Sequence, residues 1–164
     1  MPLLTNDNRL ALLAQSIRRA LDRYQFHLVA YVFMPEHVHL LVVPPEPETA
    51  LPDFLKAIKR PFSFRVKQSL LAEKSPLLDK LTIRERPGRI CFRFWQEGPG
   101  YDRNLSSAAA VLGAIDYIHH NPVRRGLCLR AIDWKWSSAR QFIIPGAPIP
   151  FDGLTIDHLS HEIS

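Results

Sequence analysis

His37 and His39 stand two residues apart in the run Met34-Pro-Glu-His-Val-His-Leu-Leu-Val42. On a strand, side chains two apart share a face, so both imidazoles can reach one metal ion while Val38 turns toward a core. Imidazole ligands suit zinc, manganese or nickel as well as magnesium, so the spacing does not choose the metal. A His-x-His pair also occurs with no metal role, exposed or packed in a core. A second pair, Tyr117 and Asn121, is four apart in a helical stretch and therefore on one helix face, with Gly113 one turn earlier leaving room beside the phenol. A helical tyrosine is more often packed with its hydroxyl hydrogen-bonded, so this spacing alone leaves its role open.

Positive charge is unevenly placed. The formal net charge is +5, and Lys56 through Arg93 carries eleven Lys or Arg against three acids. After Arg140 there is no Lys or Arg, while Asp152, Asp157 and Glu162 remain. The asymmetry favours a polyanionic partner held by one region, although a charged run can equally be a solvated face. Aromatic residues interleave with that charge: Phe92, Trp95, Trp134 and Trp136 offer stacking surfaces or core packing.

Six elements must position these residues. Leu10, Leu13, Ile17, Leu21 and Tyr24 have helical spacing between Asn6 and Tyr24, with Thr5, Asn6 and Asp7 available as caps. Phe26–Met34 and His37–Val43 read as two strands broken by Pro35-Glu36, a hairpin. Pro44 to Glu48 is a loop, and Pro52 suits the first turn of a helix that turns Phe54, Leu55 and Ile58 inward. Pro61 predicts a kink there, or a new helix running on through Phe64, Val66 and Leu70.

Residues Ser75 to Gly88 read as a long connection, followed by a half-buried strand over Ile90–Trp95 with Ile90, Phe92 and Phe94 on one face, closed by Gly98-Pro99-Gly100. Leu105, Ala108, Val111, Leu112, Ile115 and Ile118 mark a last helix, capped by Asn104 and ending near Asn121, because Pro122 disfavours helical geometry in the residue before it.

At 164 residues, 46% hydrophobic and 23% charged, the chain reads as one domain over 1–164, with 143–164 a weakly acidic tail. Cys91 and Cys128 lack the spacing of a zinc or redox site. No signal peptide or apolar span is evident, so the expected location is cytoplasmic, without membrane contact.

The stretch Tyr31-Val-Phe-Met-Pro-Glu-His-Val-His-Leu-Leu-Val resembles the HUH strand of single-tyrosine transposases, and Tyr117-Ile-His-His-Asn-Pro-Val-Arg-Arg-Gly-Leu resembles their nucleophile helix. Phe94-Trp-Gln96 and Trp134-Lys-Trp-Ser-Ser138 are similar, in the same order, to segments of the REP-associated branch. The resemblance spans roughly Asn6 to Phe142. It implies Tyr117 as nucleophile, His37 and His39 as metal ligands, Asn121 in the third-ligand position where many relatives carry Gln, and Mg²⁺ or Mn²⁺ as the ion. It also implies an α+β, ferredoxin-like antiparallel sheet with helices on one face. Only five residues precede Asn6, so the first strand of that sheet is missing. Its loss would expose ladder groups on neighbouring strands unless another segment fills the gap.

By the same resemblance the phenolate of Tyr117 attacks a scissile phosphate of single-stranded, hairpin-forming DNA, leaving a 5′-phosphotyrosine that a later 3′-hydroxyl can reverse. Arg124 and Arg125 would favour the anionic phenol. Phosphate and base contacts are expected from Lys56, Lys59, Arg60, Arg65, Arg93, Trp95, Arg124, Arg125 and Trp136. The resemblance admits a homodimer as well as a chain working alone. The missing strand motivates two rivals: a DNA-binding relative without catalysis, and an unstable gene remnant. A third is a metal-dependent phosphoesterase that activates water and uses Tyr117 only structurally.

Overall fold

The computed structural model describes residues 1–96, 102–149 and 154–157. The expected Gly98-Pro99-Gly100 turn and half of the acidic tail, 150–153 and 158–164, lie outside the described residues.

The first helix, α1 (Asp7–Tyr24), begins where the sequence places it: the Asn6 side chain accepts from the backbone N–H groups of Asn8 and Arg9 at 2.8 and 3.4 Å. It ends at Gln25, whose left-handed φ of 55° breaks the helical run. Leu10, Leu13, Ala14, Ile17 and Ala20 form its buried stripe. Strands β1 (His27–Phe33) and β2 (Val38–Val43) pair antiparallel as a hairpin, with Val32 opposite His39, and the Met34 N–H donates to the His37 carbonyl at 2.9 Å across the turn.

Strand β1 is buried on both faces. Phe26, Leu28, Tyr31 and Phe33 enter one core with α1 and with α2 (Leu51–Ala72), while Ala30, Val32 and Met34 enter a second with Ile118. A register shift between Leu28 and Ala30 changes the parity, which is why an even-numbered leucine and two odd-numbered aromatics share a side. On β2, Val38, Leu40 and Val42 pack toward the first core and Leu41 toward the second.

The helix α2 continues through Pro61. No second helix begins there: one helix of 22 residues runs through the proline, because Phe54, Ile58, Phe62, Val66 and Leu70 bury a single stripe on both sides of it. An interior proline costs about 3 kcal/mol. Each fully buried apolar side chain contributes about 1.5–3 kcal/mol, so five of them outweigh it.

The connection expected over Ser75–Gly88 contains a short helix, α3 (Leu77–Leu81), and a strand, β3 (Thr82–Arg86), which pairs with β4 (Arg89–Phe92) as a second two-stranded sheet. The expected strand to Trp95 therefore stops at Phe92. Ile90 is 66% exposed although the alternation turned it inward, while Phe94, beyond the strand, is buried. Phe92, on the same face, packs partly against the main core, so among the described residues the cover reaches the end of β4 but not Ile90.

The last long helix, α4 (Ala108–Arg124), is capped by Ser107, whose hydroxyl accepts from the Ala110 N–H at 3.1 Å, rather than by Asn104. It passes Asn121 and includes Pro122, and N–H groups of Arg125, Gly126 and Leu127 close the final turn on Asn121, Val123 and Pro122 carbonyls. The pre-proline bias is overridden where the following residues complete the turn.

The α+β organisation read from the sequence holds, as two small antiparallel sheets with helices, but the helices are not confined to one face: α1 and α2 cover one side of the β1–β2 sheet, and α4 lies against the other because β1 is apolar on both faces. No strand precedes α1 among the described residues. The edge of β1 away from β2 is nevertheless occupied. Phe33 N–H donates to the Trp136 carbonyl at 2.8 Å, Ser138 N–H to the Tyr31 carbonyl at 3.0 Å, and Asp157 N–H to the Leu28 carbonyl at 2.7 Å. Residues after α4 thus satisfy the ladder groups that a missing neighbour would have left bare, and Leu154 and Ile156 are buried with them. Strand β2 pairs with no second strand among the described residues. A 3-10 turn (Ala131–Asp133) and a short helix, α5 (Ala139–Ile143), flank this edge segment.

Phe62 is fully buried and Phe64, two residues on, is exposed. Phe62→Ala is expected to lower the free energy of unfolding in urea by about 3–5 kcal/mol, and Phe64→Ala to change it by about 0.5 kcal/mol or less. Equal effects would contradict the facing of α2.

Candidate functional site

The hairpin delivers His37 from the turn and His39 from β2 to one point. Their Nε2 atoms are 3.0 Å apart and the rings meet edge to face. Two neutral imidazoles at this distance share one proton in a hydrogen bond. The same separation is what two nitrogens take on a common ion, since ligand distances of about 2.0–2.1 Å at a right angle put the donors about 3 Å apart.

Helix α4 supplies the rest. Its apolar face, Ile115 and Ile118, packs on Ala30, Val32, Met34 and Leu41. That seating brings the Asn121 amide to 3.2 Å from His39 Nε2 and sets the Tyr117 ring edge to face with His39 at 5.8 Å between centroids. A half-turn of the amide puts Oδ1 where Nδ2 stands, so Asn121 can offer a neutral oxygen donor beside the two nitrogens. Because the helix runs past Asn121, this side chain is held in regular helical geometry one turn beyond Tyr117, and the shorter asparagine reaches. Among the described residues no group of three His, Cys, Asp or Glu could hold a metal ion. The side chains gathered at this point that could hold a divalent ion are His37, His39 and Asn121.

The electrostatics suit that use. His37 is held below the ordinary imidazole range first by burial and then by the Arg125 guanidinium, with Glu36 opposing; His39 is lowered by burial and by His37. Both rings are thus neutral near pH 7 and present lone pairs without first losing a proton. Arg125 pairs with Glu36 at 3.1 Å, which anchors the end of α4 to the hairpin turn. Arg124 lies over the Tyr117 ring, its guanidinium carbon 4.8 Å from the centroid, and also reaches Asp116 at 3.9 Å. Tyr117 is 49% exposed, open to a large substrate. Tyr31 is the contrasting case: it is fully buried, burial pushes its phenol well up against a weaker opposing hydrogen bond from Gln141, and it stays neutral.

The structure brings together His37, His39, Asn121, Tyr117, Arg124 and Arg125. It does not bring the other expected DNA contacts to the same place. Lys56, Lys59, Arg60 and Arg65 are on α2, in the layer across the sheet from α4; Lys56 pairs with Asp53 at 3.4 Å, and Arg65 donates to Gln15 on α1 at 3.1 Å. Arg93 pairs with Glu85 at 3.3 Å. Trp95 packs on Phe62 and Phe94 and donates to the Lys59 carbonyl at 3.3 Å. Trp136 packs against the main core, with the Lys135 ammonium over its ring.

Sequence reasoning passed over the Glu36–Arg125 pair, and it placed both arginines beside Tyr117 without separating them. Arg124 is seven residues, two turns, from Tyr117, a spacing that could have singled it out. His119 was also passed over. It is buried, and its Nε2 is 2.8 Å from Ser138 Oγ.

These features define a class. The family model described as Transposase IS200 like matches residues 2–81, a stretch that includes both histidines. A REP-associated tyrosine transposase of Haemophilus influenzae is 27% identical over 122 residues, 74% of this chain. The alignment spans 63% of that relative's length. A solved REP-associated tyrosine transposase bound to a REP hairpin superposes with a TM-score of 0.56 at 24% identity, covering 95% of this chain and 80% of that one, which fixes the fold. The chain therefore resembles the IS200-like, single-tyrosine transposases and their REP-associated branch, as its motifs indicate.

Burial lowers His119 to about 4. The unfolded chain then binds more protons than the folded one between pH 6.5 and about 4, so the stability is complete above 6.5 and is lost as pH falls through that window. On moving from pH 7.5 to pH 5, urea unfolding should show a loss of about 1–2 kcal/mol from this residue. His119→Gln should flatten the dependence. An unchanged pH slope in that variant would contradict a buried, neutral His119.

Proposed function

We propose that this chain cleaves and rejoins single-stranded DNA through a covalent 5′-phosphotyrosine on Tyr117, with a divalent ion, Mg²⁺ or Mn²⁺, held by His37, His39 and Asn121. The observation that carries the reading is the convergence of two elements. The hairpin presents two neutral imidazoles, and α4 presents an amide and a half-exposed phenol to the same point. When bound, the ion supplies Lewis-acid polarisation of a non-bridging oxygen of the scissile phosphate.

The chain's own residues do the rest. Tyr117 Oη forms the bond to phosphorus as the bond to the 3′-oxygen breaks, and the phenol proton is balanced by the one gained by the leaving 3′-hydroxyl. Arg124, over the ring, supplies positive charge where negative charge develops. Asn121 and His39 hold each other's orientation, and Glu36 with Arg125 ties the helix end to the turn that carries His37. The phosphotyrosine keeps the free energy of the phosphodiester, so attack by another 3′-hydroxyl reverses the step and joins strands without a nucleotide cofactor. A hairpin-forming strand is the proposed substrate, supported by the relative solved with a REP hairpin. None of the described helices is long and apolar enough to cross a membrane.

Incubation with labelled single-stranded DNA from both flanks of the gene, with Mn²⁺, should give a denaturant-resistant protein–DNA band. Tyr117→Phe should abolish it, and chelator or His39→Ala should lower it by at least about 10²-fold. DNA binding with no band would favour a binding module without catalysis. Multiple-turnover hydrolysis that survives Tyr117→Phe would favour an activated water and a structural tyrosine.

A further inference from the structure

Tyr117 and Asn121 sit on α4 while their partners sit on the β1–β2 hairpin, so the geometry of the site depends on how α4 is rotated on the sheet. The apolar contacts of Ile115 and Ile118 press the helix down but are non-directional. Directional contacts lie on its two flanks. At 100° per residue, Tyr117 and Asn121 share one flank, Ile118 faces the sheet, and His119 falls on the opposite flank. There His119 Nε2 meets Ser138 Oγ at 2.8 Å. The same hydroxyl accepts from the Tyr31 N–H at 2.9 Å and is 3.2 Å from the Tyr31 carbonyl, which also accepts from the Ser138 N–H at 3.0 Å. Ser138 and Tyr31 are fully buried and His119 nearly so.

We propose that Ser138 and His119 are positioning residues for the site. Their buried hydrogen bond fixes the roll of α4 on β1 and thereby holds Asn121 and Tyr117 against His39. This rests on the reading of His37, His39, Asn121 and Tyr117 as a metal–tyrosine site. The contact runs through a segment, Trp136–Ser138, that stands on the β1 edge in place of a strand, so closing the sheet edge and aligning the helix are one structural act. Trp134 reinforces it by donating its indole N–H to the Phe33 carbonyl at 2.9 Å and packing with the second core. A buried polar bond of this kind is directional and, in a low-dielectric setting, strong. Loss of about 1 Å in the placement of a reacting group costs on the order of 10²-fold in rate.

The test compares the full chain with Ser138→Ala, His119→Phe, His119→Gln and, as a stability control away from the site, Val66→Ala. In metal-free protein, two-dimensional NMR should show the backbone amides of 117–121 and the ring signals of His37 and His39 displaced in Ser138→Ala and His119→Phe, with the α1 and α2 signals kept. His119→Gln, whose amide can still donate to Ser138 Oγ, should restore them in part. Val66→Ala should lower the melting temperature while leaving those signals in place. Mn²⁺ affinity by calorimetry should fall about tenfold in Ser138→Ala, and adding Asn121→Ala should weaken it further by much less than that change does alone. Unmoved α4 and histidine signals in a folded Ser138→Ala protein, or equal displacement in Val66→Ala, would overturn the proposal. The NMR arm needs neither metal nor DNA, so a wild-type protein that binds no Mn²⁺ and forms no adduct would count against the proposed function while the positioning question is still decided.

Discussion

Strand β1 is the constraint on which the rest depends. From Leu28 to Phe33 every side chain is buried, so both of its faces and both of its edges must be covered by something. Each residue's burial contributes about 1.5–3 kcal/mol for the larger apolar side chains, against about 0.5–1.5 kcal/mol net for each ladder hydrogen bond. Side-chain burial therefore decides that α1, α2 and α4 must come to this strand. The backbone then decides what may lie beside it, because its carbonyls and N–H groups cannot be left unpaired in the interior.

That accounting explains an arrangement that would otherwise look incomplete. No strand precedes α1 among the described residues, yet the β1 edge is closed by Trp136, Ser138 and Asp157. The closure brings a serine hydroxyl beneath α4, and the buried histidine of α4 meets it. The nucleophile candidate and the amide candidate are thus positioned by a helix gripped on both flanks, by His39 on one side and Ser138 on the other. The histidines they face are on a hairpin, His37 at its turn and His39 on β2, backed by the main core. Chemistry placed between two such elements inherits their rigidity.

Burial and charge both hold the site's imidazoles below their ordinary range. Burial first and Arg125 second lower His37 while Glu36 opposes them, and Arg124 is turned instead over Tyr117. Two adjacent arginines on one helix end serve two different groups because successive helical residues diverge by about 100°. The basic residues of α2 form a separate positive region across the sheet. Contact by a long polyanion with both regions would require it to pass around the domain edge.

By itself the sequence determined the local elements and the chemistry they carry. The periodicity of α1 with its Asn6 cap, the hairpin split at Pro35-Glu36, the shared face of His37 and His39, and the four-residue spacing of Tyr117 and Asn121 are all short-range facts. They follow from 3.6-residue and 2-residue repeats and from turn chemistry. What only the tertiary structure decided depends on residues far apart in the chain. Pro61 stays within one helix because a core stripe continues past it, and Pro122 stays within α4 because the following turn closes. Ile90 is exposed because the core that Phe92 reaches does not extend to it, and Ser138, 107 residues from Tyr31, takes the place of a strand neighbour. A local pattern cannot report such outcomes, since each is settled by which distant surface arrives to bury an apolar face or satisfy a backbone group.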